Sequence, residues 1–458
     1  MSGNPVLPGW YADPEIHIFA GRFYIYPTYS APYEEQTFFE VWSSEDLTDW
    51  RKDGIALDFA DVPWSTNRAA WAPTVGRMGG RYYMYFSAGD GAGIGVAVAD
   101  HPAGPFKDAL GRPLISEYHH GAQPIDAHVF LDGDGTNYLY WGGWRKAVVA
   151  KLSDDMLSIE GDILEITPEG YVEGPFMVQR GETYYFMWSE GNWTDSTYRV
   201  AYGTSTSPLG PFPRKGAILG SEAGIADGAG HHSVVRLMGT DEYLICYHRR
   251  ILGDTNPHHR VTCLETLTFA EDGSILPIRL TAEGVPAQPA TVMLTEAQRQ
   301  EAETAMTALI GQPLTDMWRY MGFQRLEFGE QKPAKNRKGE DITRSDWGLV
   351  LGGYWQIASA DGFTLSDAHF GPDKERRDDH ADGLYNRLSE NPLQVLSIEL
   401  ALNGNLRVEL TDRFTLSANT VDFSDWLNEY WRFDAPGMGC SLDSQHGYYA
   451  YSKSDDPT

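Results

Sequence analysis

The sequence predicts an all-β chain: a five-bladed β-propeller over residues 1–292, then a C-terminal, mainly β accessory domain over residues 293–458 that a helix introduces. Three observations carry this expectation. One strand–turn–strand theme recurs five times in the first 290 residues. A polar, turn-rich theme separates the copies. After PIRLTAEGV the pattern changes to helical spacing and then to alternation.

The five copies are DPEIHIFAGRFYIYPTYS from Asp13, APTVGRMGGRYYMYFSAG from Ala72, DAHVFLDGDGTNYLYWGGW from Asp126, EGPFMVQRGETYYFMWSEG from Glu173 and HHSVVRLMGTDEYLICYHRR from His231. Each joins an apolar strand through a Gly- or Asp-containing turn to an aromatic-rich strand that ends in small polar residues. Their starts lie roughly 45 to 60 residues apart, the length of a four-stranded blade with a long loop. Between copies, SSEDLTDWRKDG, VADHPAGPFKDA, LSDDMLSIEGDI and STSPLGPFPRKG supply turn residues before an outer strand, which makes two hairpins per unit. A unit that buries its sheet faces only against neighbours closes radially around a channel. An irregular β-sandwich is the alternative, but it does not require equal units.

The tail opens with TEAQRQEAETAMTALIGQ from Thr295, whose Ala, Leu, Met and Glu fall at helical spacing. LQVLSIELAL, LRVELTDRFTLS and the aromatic stretch from Trp426 to Phe433 read as antiparallel strands. The mixed charges of Lys374 to Asp382, KERRDDHAD, read as a solvated loop rather than a metal site.

Charge narrows the partners. Lys and Arg number 36 against 64 Asp and Glu, a formal charge of -28, which argues against nucleic acid and anionic membrane. No apolar run approaches the roughly 20 residues a membrane span needs, and Met1 to Gly9 lack the features of a secretion signal. The expected location is cytoplasmic, or extracellular or periplasmic had a signal been trimmed. Three cysteines, Cys246, Cys263 and Cys440, show no metal-ligand spacing and are odd in number. Fourteen Trp and 25 Tyr suit both strands and the apolar faces of sugar rings.

The innermost strands of a propeller line its channel, so residues at the same phase of every copy converge on one mouth. Here those residues are Asp13, Ala72, Asp126, Glu173 and His231. Hydrolysis of a glycosidic bond needs a carboxylate to activate water and a carboxylic acid to protonate the leaving oxygen, and a third carboxylate can orient the pair and hold up the acid's pKa. Structural roles compete with this reading. Asp13-Pro14 and Glu173-Gly174-Pro175 also suit strand starts, Asp126 a turn cap, and His231 or His232 a satisfied polar group in the core.

Together these segments resemble glycoside hydrolase family 43 over about residues 1–290. GWYADPEI resembles the segment of the general base, QPIDAHVF that of the pKa-modulating, orienting Asp, and YVEGPFM that of the general acid. The resemblance implies those roles for Asp13, Asp126 and Glu173, with inversion at the anomeric carbon. WAPTV implies a sugar-packing role for Trp71, GAGHHSVV an axial position for His231 near a water or a structural calcium ion, and YHRR a sugar-hydroxyl contact for Arg249. No cofactor is expected for the chemistry itself.

Among aromatics placed on or after the second strands, Tyr29, Trp71, Phe86 and Trp144 are the candidates for substrate contact, while Trp141 and Trp188 share that placement. The loops Tyr33 to Phe39, Trp64 to Ala70 and Gly191 to Tyr198 are long enough to wall in one sugar. A walled pocket favours release of a terminal pentose or furanose from an oligosaccharide or a polysaccharide side chain. Within the family, α-L-arabinofuranosidase is the first expectation, ahead of β-xylosidase and galactofuranosidase or galactanase. A non-catalytic sugar-binding propeller and a structural scaffold are the competing classes. The C-terminal domain is expected to shape the rim, bind sugar or mediate oligomers.

Overall fold

The computed structural model describes residues 1–78, 80–89, 91–132, 135–320, 323–335, 341–352, 354–366, 383–384, 391–420, 429–436, 438–443 and 447–452. The run Lys374 to Asp382 and Trp426 lie outside the described residues. The chain divides into two units, one of residues 1–237 with 242–290, the other of residues 238–241 with 291–458.

The first unit is a five-bladed propeller of antiparallel sheets. Blade 1 runs β1 (Tyr11–Phe19), β2 (Arg22–Tyr29), β3 (Phe38–Ser44) and β4 (Arg51–Asp58). Blade 2 runs β5 (Ala70–Met78), β6 (Arg81–Ala88), β7 (Gly93–Ala99) and β8 (Lys107–Asp108), and blade 3 runs β9 (His128–Leu131), β10 (Asn137–Trp141), β11 (Val148–Leu152) and β12 (Ile159–Glu165). Blade 4 comprises β13 (Glu173–Arg180), β14 (Thr183–Glu190), β15 (Arg199–Ser205) and β16 (Arg214–Leu219). Among the described residues blade 5 has three strands, β17 (Ala226–Arg236), β18 (Tyr243–Ile251) and β19 (Arg260–Leu267).

Alternation along each strand glues the blades together. In β6, Tyr82, Met84 and Phe86 enter a core shared with blade 1, while Tyr83 and Tyr85 enter one shared with blade 3. Period-2 patterning therefore makes both faces of a blade apolar, and each pair of neighbouring blades encloses its own cluster. The innermost strands β1, β5, β9, β13 and β17 touch in ring order, and β17 returns to β1. The chain's first residues close the ring. Ser2, Gly3 and Asn4 donate backbone N–H groups to Val285, Glu283 and Ala282, and Val6 N–H reaches Thr262 O at 2.9 Å.

In the second unit, helix α1 (Glu296–Met306) begins with a capping box: Thr295 and Gln298 satisfy each other's backbone N–H. Ala302 and Met306 face the core from this helix. Among the described residues the strands form an eleven-stranded sheet, with Pro313–Tyr320 at its centre and Thr364–Ser366 and Gly447–Ser452 at its edges, and a separate hairpin of Lys332–Lys335 with Asp341–Arg344. No helix of the described residues is long and apolar enough to cross a membrane. Cys246, Cys263 and Cys440 are free and buried.

Candidate active site

Each innermost strand of the propeller begins with a distortion. Asp13, Ala72, Asp126, Gly174 and His231 all have left-handed φ, from 37° to 61°. The pairing register skips at this point in β1, β5, β13 and β17, the signature of a β-bulge, which re-aims side chains at a sheet's rim. For residues other than Gly this backbone costs about 1–2 kcal/mol, so the surroundings must hold it. They do so through the preceding blade. Ala72 N–H donates to Thr28 Oγ1 (2.8 Å), Asp126 N–H to Ser87 Oγ (2.9 Å), His231 N–H to Ser189 Oγ (3.0 Å) and Asp13 N–H to His248 Nδ1 (3.1 Å). Blade 4 differs, because Gly174 N–H donates to the Asp126 carboxylate at 3.1 Å.

One correction follows. Glu173 does not share the phase of the other four residues; Gly174 does. Glu173 pairs with Ser189 as Ala12 pairs with Thr28, Trp71 with Ser87 and Gly230 with His248, one residue ahead of the left-handed position.

The bulges bring the buried Asp13 and Asp126 and the half-buried Glu173 and His231 into one group. His231 Nδ1 lies 3.4 Å from Asp13 Oδ1 and 3.8 Å from Asp126 Oδ2. Asp13, only 8% exposed, also meets Arg260 Nη1 and His248 Nδ1, each at 3.2 Å. Burial alone would raise the pKa of Asp13, but Arg260, His231 and His248 outweigh it and hold this carboxyl far below the usual range. Asp126 goes the other way: burial pushes it up, Glu173 and Asp13 add repulsion, and His231 opposes only in part. Glu173 is likewise raised by burial, although the Tyr198 hydroxyl, 2.8 Å from Oε1, and His231 pull it down. His231 is disfavoured as a cation by burial, but the three carboxyls more than compensate and raise its pKa. Asp13 is thus held ionised, while Asp126 and Glu173 are coupled groups that favour retaining a proton.

A wall of rings adjoins this cluster. The Trp193 ring lies 5.0 Å from the Arg260 guanidinium, His258 lies 6.0 Å from Trp193, Tyr33 lies 5.7 Å from His258, and Trp71 lies 5.0 Å from Tyr33. Trp71 is fixed by its Nε1–H, which donates to Gln36 Oε1 at 2.5 Å.

Comparison with known proteins now bears on this arrangement. Residues 2–275 match the description of glycosyl hydrolases family 43. The chain belongs to this family. It is 51% identical over 298 residues to a β-D-galactofuranosidase of Aspergillus niger, an alignment covering 62% of this chain and 87% of that protein. It is 29% identical to xylosidase/arabinosidase 43A of Humicola insolens, over 59% of this chain and 98% of that one. Among solved structures, an α-L-arabinofuranosidase from Clostridium thermocellum superposes with a TM-score of 0.51 at 30% identity, covering 60% of this chain and 95% of that one. As a family 43 enzyme, the protein is a glycoside hydrolase that inverts configuration.

Several residues singled out in the sequence sit elsewhere in this family 43 enzyme. Phe86 is fully buried between blades 1 and 2 among Phe39, Phe59 and Trp64, so it cannot touch substrate. Trp141 and Trp188 are also core residues. Tyr29 packs against Tyr11 and Phe38 within blade 1. Arg249 points away from the cluster, with Nη1 bonded to Thr281 O at 2.8 Å, because alternation along β18 gives His248 the inward face. Arg260 stands beside Asp13 instead, with its Nε donating to Ser30 Oγ at 3.0 Å. Trp144 is 68% exposed in a strained turn, with left-handed φ at both Trp144 and Arg145, and its ring lies 5.2 Å from Tyr118.

The calcium expected at His231 would be held through water rather than by the protein's own carboxylates. Among the described residues no group of three or more His, Cys, Asp or Glu side chains is arranged to hold a metal ion. Calcium takes oxygen ligands, and the cation that faces the Asp13 carboxylate at 3.2 Å is the Arg260 guanidinium.

Proposed function

We propose that the enzyme is an exo-acting β-D-galactofuranosidase, with Asp13 as general base, Glu173 as general acid and Asp126 as the group that orients Glu173 and raises its pKa. The 51% identity to a relative named as a β-D-galactofuranosidase carries the choice of sugar. It moves galactofuranose ahead of arabinofuranose, the first expectation from sequence. The two differ little to a site that reads the ring, since β-D-galactofuranose and α-L-arabinofuranose share ring configuration and differ by one exocyclic carbon with its hydroxyl. An α-L-arabinofuranoside is therefore the expected second substrate.

The electrostatics support these roles. Asp13, held ionised, takes a proton from water as that oxygen bonds to the anomeric carbon. Glu173, held toward its protonated form, gives its proton to the departing glycosidic oxygen as the C–O bond breaks. The products are an alcohol and a sugar with the opposite anomeric configuration, and solvent proton exchange resets both carboxyls. The ring wall of Trp193, His258, Tyr33 and Trp71 supports a pocket for one terminal residue. Trp144 with Tyr118 offers an apolar platform for a sugar beyond the scissile bond, because Arg145 N–H donates to Val172 O, next to Glu173.

The deciding measurement is hydrolysis of 4-nitrophenyl β-D-galactofuranoside, α-L-arabinofuranoside and β-D-xylopyranoside, with the first-formed anomer followed by NMR. The expected result is the highest kcat/KM for the galactofuranoside and α-galactofuranose as first product. Preference for the xylopyranoside, or β-galactofuranose as the first product from the galactofuranoside, would overturn the proposal.

A further inference from the structure

Tyr198 ends the loop 191–198, whose Asn192, Thr194, Asp195 and Thr197 tie one another into tight turns. The same loop carries Trp193 to Arg260. Tyr198 is almost fully buried, and three contacts fix its ring and hydroxyl. Its hydroxyl donates to Glu173 Oε1 at 2.8 Å. Its ring lies nearly parallel to that of His248, 5.6 Å away at 11°, and His248 in turn accepts the Asp13 N–H. Against its edge lies Gly230, where a Cβ would fall 2.3 Å from Tyr198 Cδ1. One side chain thus bonds the proposed acid and stacks on the imidazole that holds the proposed base.

We propose that Tyr198 is a positioning residue: its hydroxyl anchors Oε1 of Glu173 so that Oε2 presents the proton to the leaving oxygen. The inference rests on Glu173 being the general acid. A carboxyl free to rotate spends little time in hydrogen-bond reach of one glycosidic oxygen, and such reach is what general acid catalysis requires. The same bond limits the acid's proton affinity. Burial raises Glu173, and Tyr198 is the largest opposing influence, with His231 and Arg260 also lowering it while Asp13 raises it. Asp126, coupled to the acid, and the buried Tyr171 complete the titratable groups that face it. Tyr198 acts through Glu173, whose Oε1 its hydroxyl reaches.

The test is Tyr198→Phe, a near-isosteric change, assayed beside wild type and Glu173→Gln on furanosides of graded leaving groups. A 2,4-dinitrophenolate departs without a proton, whereas an alkoxide needs one. For the Phe variant the expected result is a kcat loss of about tenfold or more on alkyl furanosides, near wild-type kcat on the dinitrophenyl furanoside, and an alkaline limb moved to higher pH. An equal loss on all leaving groups with an unmoved limb would mean a merely structural role and would overturn the inference, as would no loss at all. Failure of the underlying reading looks different: Glu173→Gln itself would then show no dependence on the leaving group.

Discussion

Asp13 and Glu173 are both carboxylic acids in one cluster, yet their surroundings drive them apart. Burial raises both, and the difference lies in what opposes it: Asp13 meets the Arg260 guanidinium at 3.2 Å, while the Glu173 carboxyl accepts its hydrogen bond from the neutral Tyr198 phenol. Arg260 should therefore set the acid limb of activity. Asp13 works as a base only when ionised, so its depressed pKa keeps activity as pH falls. Removing the guanidinium in Arg260→Ala lets that pKa rise, and activity is then lost at a higher pH. The expected result is an acid limb of kcat/KM displaced upward, with Arg260→Lys between the variant and wild type. A limb that stays in place in the Ala variant would show that His231 and His248 suffice to keep Asp13 ionised.

At the scale of elements, the repeated bulge explains what could be read in the sequence and what could not. The five units and their carboxyls were legible because every blade restarts the same strand, and a shared phase converts sequence spacing into proximity. The one-residue offset of Glu173 was not legible from phase alone, although the Gly beside it marks where left-handed backbone falls. Arg260 and Tyr198 were missed for another reason: they come from a third strand and a loop, where no repeat points inward. Alternation would have removed Phe86, which shares parity with the core residues Tyr82 and Met84, and would have turned Arg249 away from His248. Gly230 tests this element-level account. In Gly230→Ala the new methyl meets the Tyr198 ring, which His248 backs. Overpacking of this kind typically costs about 1–3 kcal/mol. Thermal unfolding should register that loss, and alkyl furanoside turnover should fall together with it. Wild-type turnover on alkyl furanosides in a stable Ala variant would show that the ring can shift without consequence.

Across the whole molecule, stability is distributed over five interblade clusters and a separate core in the second unit. Closure of the propeller depends on Asn4, whose side chain bonds Leu264 N and O, Glu265 and Thr281 O. The second unit depends on a buried charge. Glu327 has no exposed surface and accepts hydrogen bonds from Ser345 N (2.7 Å), Arg325 Nε (3.1 Å), Gln331 Nε2 (3.1 Å) and Trp318 Nε1 (3.2 Å). Glu327→Ala strands four donors, one of them cationic, and breaking a buried pair in this way costs about 3–5 kcal/mol. Arg325 keeps Asp434 as a partner, which places the loss toward the lower end. Because Glu327 belongs to the unit of residues 238–241 and 291–458 and none of the catalytic candidates does, the loss should be confined to that unit. Calorimetry of the variant should show a transition moved to lower temperature beside one left in place, with kcat on 4-nitrophenyl galactofuranoside unchanged below the first. A single transition that carries activity down with it would instead mean that the two units unfold as one.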